Sequence, residues 1–125
     1  MALPENFDFE AVPGIDDAPF ITLRNSSITF SKSAIELMEY TGYVHMFVDR
    51  KKKVVAFEQC QKDETSIPFY KKPEEGKQML VRISNKERAS LIKKIGDIED
   101  CGKGIRVYGE YYPDNKTIIF DLSQI

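Results

Sequence analysis

Apolar residues along the chain recur with two different periods. In Tyr43–Val48, alternate residues Val44, Met46 and Val48 share one side, and Val54-Val55-Ala56-Phe57 follows after the polar run Asp49–Lys53. Alternation over five to eight residues is the mark of a half-buried strand, so the two runs predict a hairpin. A second hairpin is predicted where Ile105, Val107 and Tyr111 face one way, Pro113-Asp114-Asn115-Lys116 turns, and Ile118, Phe120 and Leu122 return. Proline followed by Asp-Asn supplies the backbone angles and local hydrogen bonds of a tight turn. Short strand pairs are predicted at 19–23 with 28–31, and at 68–70 with 79–84.

Helical spacing appears twice between these strands. Ser33-Ala34-Ile35-Glu36 has the form of a capping box, with Ser31 as a competing cap, and Ala34, Ile35, Leu37 and Met38 form a stripe. Ser84-Asn85-Lys86-Glu87 repeats the box before the stripe Ala89, Leu91, Ile92 and Ile95. Gly42 and Gly96 are expected to end the two helices in the left-handed conformation that glycine enters cheaply. Lys93 and Lys94 suit the negative end of the second helix dipole.

The resulting order, strand-strand-helix-strand-strand, occurs twice, which predicts a duplicated unit. Half-domains of this size bury too little surface to be stable separately, whereas packed together they close each other's open edges. The expected fold is α+β and β-rich, with the two repeats forming a small pseudo-twofold, barrel-like domain. Its divisions are an acidic arm at 1–18, a first repeat at 19–60, a polar linker at 61–66 and a second repeat at 67–125. Phe7, Phe9, Val12 and Ile15 make the arm apolar enough to dock on a hydrophobic surface.

Composition narrows the functional classes. The chain has 125 residues, 42% hydrophobic and 30% charged, and no apolar run of the roughly 18 residues that span a bilayer. The first residues lack a basic segment followed by an apolar one, which predicts no secretory leader and a cytoplasmic protein with reduced thiols. Net charge is −2, yet residues 1–23 hold five acids and no base, while 50–94 hold 13 bases against six acids. That asymmetry reads either as a solvated surface behind a soluble tail or as an acidic arm competing with polyanions for a basic middle.

Catalytic and metal chemistry find no foothold. His45 is the only histidine and lies mid-strand, and Cys60 and Cys101 stand 41 residues apart without a C-x-x-C partner, so no metal, cofactor or nucleophilic site is expected. Gly102-Lys103-Gly104 lacks the frame of a phosphate-binding loop, and Asp97, Glu99 and Asp100 read as part of the same flexible acidic loop. The protein is expected not to be an enzyme. Two binding surfaces remain. Arg82, Lys86, Arg88, Lys93 and Lys94, with Arg50 and Lys51 at the first hairpin turn, are the candidate nucleic-acid contacts, because such cations neutralise phosphates and release counterions. Tyr43, His45 and Phe47 on one hairpin, and Tyr108 and Tyr112 on the other, are the candidate partner contacts, since aromatics opposite a core stripe ask for a second cover.

The run Ser27-Ile28-Thr29-Phe30-Ser31-Lys32, a short helix, Gly42 and a charged hairpin turn resemble the AbrB/SpoVT swapped-hairpin unit, and Val81-Arg82-Ile83-Ser84 with the following helix and hairpin resembles it again. The likeness spans most of 27–60 and 80–122. It implies a half-barrel that pairs with a second copy, and a DNA-binding regulator or antitoxin. The chain departs from the family in having Lys32-Ser33 and Asn85-Lys86 where a helix-starting proline is usual, and in placing most strand–helix cations in one half. DNA is therefore the partner the resemblance implies. The alternative is a protein–protein interaction module of bacterial or phage accessory type, or a homodimer, acting through the aromatic hairpin faces without nucleic acid and without a membrane.

Overall fold

A computed structural model describes residues 18–124. The expected docking of the arm falls at 1–17, outside the described residues. The strands are β1 (Phe20–Leu23), β2 (Ile28–Phe30), β3 (Tyr43–Asp49), β4 (Val54–Cys60), β5 (Ile67–Pro68), β6 (Val81–Ile83), β7 (Ile105–Tyr112) and β8 (Thr117–Asp121). Helix α1 (Lys32–Leu37) separates β2 from β3, and α2 (Lys86–Ile95) separates β6 from β7. All pairings are antiparallel, in the order β5-β3-β4-β8-β7-β1-β2-β6, and the sheet curls into a nearly closed barrel.

Alternation decides which side chains enter the barrel. Ile21 and Leu23, Ile28 and Phe30, Val55 and Phe57, and Ile118 and Phe120 point inward and are buried. The centre is aromatic: the Phe30 ring lies 4.9 Å from Phe57 and 4.8 Å from Phe69, both edge-on, and Phe120 stands 6.1 Å from Phe57. Edge-on pairs add about 0.5–1.5 kcal/mol each beyond their area. Gly109, opposite Phe120 in the β7–β8 ladder, gives this ring its space: a Cβ there would lie 2.6 Å from the ring edge. Ala34, Ile35 and Met38 of the α1 region, and Ala89, Ile92 and Ile95 of α2, are buried against the barrel.

Both central hairpins form at the expected turns. Asp49 accepts from the N–H groups of Lys51 and Lys52, and Lys53 takes the left-handed conformation that lets β4 return. Three local expectations are corrected. The segments 68–70 and 79–84 do not pair with each other: β5 pairs with β3 and β6 with β2. Proline at 68 brings no N–H, and the Phe69 and Tyr70 amides donate instead to Gly42 and Thr41, holding the chain beside β3. Consequently β5 and β6 are the two free edges of the barrel.

The caps also shift. Ser31, not Ser33, caps α1, accepting from the Ala34 amide, and Asn85, not Ser84, caps α2, accepting from the Arg88 amide. Ser31 wins because its hydroxyl also accepts from the Phe20 amide on β1, which ties the helix start to the barrel. Ser33 turns the other way and donates to the Ala18 carbonyl. Neither glycine stop is left-handed. Glu39 and Tyr40 make that turn after α1 and Asp97 makes it after α2, because each chain reversal comes before or after the glycine is reached. Each left-handed non-glycine residue costs roughly 1–2 kcal/mol, and the turn is anchored by Met38, which is buried.

Candidate nucleic-acid interface

The strand register brings together residues distant in sequence. Arg82 on β6 lies opposite Thr29 on β2, Thr29 opposite Thr22 on β1, and Thr22 opposite Arg106 on β7. All four side chains belong to the outward phase, since their neighbours Ile83, Ile28, Ile21 and Val107 are buried. Arg24, just past β1, reaches back along the same face and donates from Nη1 to Thr29 Oγ1 at 3.2 Å. Three arginines therefore share one outer face, with Thr29 and Thr22 standing between Arg82 and Arg106 across four strands spaced about 4.8 Å apart.

One row along, Phe20 lies opposite Tyr108 with ring centroids 5.5 Å apart, and the Arg106 guanidinium sits 4.1 Å from the Phe20 ring centre. Phe20 is half-buried, whereas Tyr108 is 47% exposed. The opposite border is set by Gly104, whose φ of +121° only glycine enters freely and whose missing side chain admits Thr22 Cγ2 within 2.8 Å of the Cβ position. Among the described residues, none of the chain's five arginines forms an ion pair.

The other expected cations are dispersed. Lys86, Glu87, Ser90 and Lys94 lie on the outer side of α2; at about 100° per residue Lys93 falls at the edge of the buried arc, and Arg88, half-buried, falls within it between Ile95 and Ile92. Lys93 Nζ donates to Asn25 Oδ1 at 2.8 Å, so this lysine braces the β1–β2 turn. Asn25 also accepts from the Cys101 amide and donates to Asp100 Oδ1. That bond from Asn25, then one from the Gly102 amide, holds the Asp100 carboxyl below the usual carboxylate range. Arg50 and Lys51 are exposed at the β3–β4 turn, where their neighbour Lys53 pairs with Asp97 at 2.9 Å. Of the seven candidate cations, only Arg82 belongs to the arginine face. Arg24 and Arg106 were not among them, although the outward alternation of Arg106 and Tyr108 around Val107 was a usable signal.

Of the aromatic candidates, Tyr43, His45 and Phe47 lie on β3, whereas Tyr108 and Tyr112 lie on β7, the strand of Arg106. Phe47 is 53% exposed and aligns across the sheet with Ala56, Ile119 and Glu110. Tyr43 is half-buried. His45 is fastened by its Nε2, 2.7 Å from Asp63 Oδ2, with Glu58 3.9 Å from Nδ1. Desolvation alone would raise the Asp63 carboxyl, but the Thr65 amide, His45 and the Ser66 amide together hold it below the usual range. Tyr108 and Tyr112 border an open depression of about 340 Å³ with Val54, Ile119 and Asp121. The Glu110 charge and the bond it receives push the Tyr112 hydroxyl up.

Both thiols are pushed above their ordinary value, Cys60 by desolvation and then by Asp63 and Glu58, Cys101 by desolvation. A raised thiol has little thiolate, the form that attacks or ligates. Among the described residues, no three His, Cys, Asp or Glu side chains converge on a metal-sized site, and no helix is long and apolar enough to cross a membrane. Comparison with known proteins finds no family model, no curated protein and no solved structure that matches this chain.

Proposed function

We propose that the protein is a small non-enzymatic nucleic-acid-binding regulator of AbrB-like build, which grips phosphates through the outer face of β6, β2, β1 and β7. The observation that carries this reading is the outward row Arg82, Thr29, Thr22 and Arg106, with Arg24 bonded to Thr29 beside it and no carboxylate among the outward residues of those strands up to Tyr108. Arginine presents a planar fork matched to phosphate oxygens, and threonine hydroxyls offer neutral donors beside it. The test is retention on short oligonucleotides at about 50 mM salt, weakening steeply as salt rises. Reversing two charges, Arg82→Glu with Arg106→Glu, abolishes retention while the variant still unfolds in one cooperative transition. Absence of retention by the native protein at low salt overturns the proposal.

The build itself is proposed to be an internal duplication with pseudo-twofold symmetry. Strand neighbours support it. Exchanging β1 to β4 with β5 to β8 turns six of the seven pairings into pairings that also exist. The exception is β1–β2, whose counterpart β5–β6 is the gap in the barrel. An experimental structure in which 20–60 and 67–121 superpose helix on helix supports the duplication; unrelated paths overturn it.

A second reading, a protein–protein or homodimer contact, rests on the row Phe47, Ala56 and Ile119 beside the Tyr108–Tyr112 depression. It predicts an oligomer or a captured partner that is lost on Tyr43→Ser with Phe47→Ser. A monomer that captures nothing, before and after substitution, contradicts it.

A further inference from the structure

We infer that the nucleic acid held on the arginine face is single-stranded, with Tyr108 as the platform on which a base stacks. The inference rests on the nucleic-acid reading above and adds the strand form and the residue that senses it.

Two features of the molecule point this way. First, the arginine face combines cations with an exposed ring. Tyr108 is 47% exposed, the Phe20 ring lies 5.5 Å from it, and the Arg106 guanidinium sits 4.1 Å from the Phe20 ring centre. The phenol therefore stands against Phe20 at the border of the cationic face. Bases in a duplex hide their flat faces inside the stack, whereas an unpaired base presents one. Stacking on an aromatic side chain beside guanidinium groups is how sheet surfaces hold single strands without reading their sequence.

Second, helix α2, which follows β6, presents little that would read a duplex groove. Helix α2 buries Ala89, Ile92 and Ile95, and its outward positions are Lys86, Glu87, Ser90 and Lys94. No arginine, asparagine or glutamine stands there to form the paired hydrogen bonds that discriminate base edges in the major groove. A sheet face whose cations span β6 to β7 follows a flexible backbone laid across the strands, and Tyr108 sits at the end of that line.

The experiment is fluorescence anisotropy with a labelled 12-nucleotide oligothymidine and with a 12-base-pair duplex, at about 50 mM salt. Native protein, Tyr108→Ala, Tyr108→Phe and Arg82→Ala are compared, each checked by its melting curve. The expected result is tighter binding of the single strand. Tyr108→Ala weakens it roughly 5- to 100-fold while leaving duplex affinity within about two-fold, and Tyr108→Phe retains it. Arg82→Ala weakens both probes. A duplex that binds more tightly, or a Tyr108→Ala variant whose single-strand affinity is unchanged, overturns the inference and leaves the arginine face standing. Failure of the native protein to bind either probe overturns both.

Discussion

Lys93 on α2 and Asn25 in the β1–β2 turn are joined by a 2.8 Å hydrogen bond across 68 residues of sequence. The same Asn25 oxygen accepts from the Cys101 amide, and its amide nitrogen holds Asp100. One side chain thus ties the β1–β2 turn, the second helix and the loop before β7. Asn25→Ala leaves the partly buried Cys101 amide without its partner, and is expected to cost about 1 kcal/mol, or a fall in Tm of about 3–5 °C. Lys93→Ala should likewise lower Tm. A lysine held free for phosphate would lower affinity alone, so thermal melting separates the two roles.

The helix start offers a sharper comparison. Ser31 accepts from both the Ala34 and the Phe20 amides, and since Ser33 donates to the Ala18 carbonyl, the 3.1 Å contact between the two hydroxyls is donated by Ser31. Ser31→Ala should destabilise the protein by about 1–2 kcal/mol, and Ser33→Ala by clearly less. Chemical denaturation of the two variants checks this. Equal losses would restore Ser33 as the cap.

Core geometry makes a third demand. Gly109→Ala places a methyl carbon 2.6–2.9 Å from Phe120 and Ile118 in the barrel interior. Overpacking of that kind costs about 1–3 kcal/mol, because Phe120 cannot retreat without disturbing Phe57. Unchanged stability would mean that the β7–β8 ladder lies further from the ring than described.

Acid should weaken the fold through particular carboxylates. Asp100 is held down by Asn25 and the Gly102 amide, and Asp121 by the Ser123 hydroxyl and amide. A carboxyl with a depressed folded value binds its proton more readily in the unfolded chain. Its contribution is therefore complete above the ordinary value near pH 4 and is lost as pH falls below it. The Tm of the native protein should be level from about pH 7 to 5 and fall below pH 4. In Asp100→Asn with Asp121→Asn that acid fall should be shallower. An equal acid fall in both proteins would remove these carboxylates from the account.

What the sequence made legible was local and periodic. The two long hairpins followed from alternation and from Asp49 and Pro113 at their turns, and the helix stripes at Ala34–Met38 and Ala89–Ile95 followed from 3.6-residue spacing. What it hid was the competition between neighbours: Ser31 against Ser33 is decided by the Phe20 amide, which is eleven residues away along the chain. The binding face was hidden for the same reason. Arg24, Arg82 and Arg106 are separate in sequence and become one cluster only through the β6-β2-β1-β7 pairing. Density of charge along the chain pointed instead to Lys93, which the folded protein uses as a brace.

The arginine face carries the whole functional account, and the salt dependence of binding tests it most directly. Each arginine that neutralises a phosphate contributes about 0.7 to the slope of log K against log salt for a single strand, so the three together predict about 2. Titrating the 12-nucleotide probe from about 50 to 200 mM salt should give that slope for the native protein and a nearly flat line for the Arg24→Ala, Arg82→Ala, Arg106→Ala triple variant. Equal slopes and equal affinities in the two proteins would show that phosphates, if bound, are bound elsewhere.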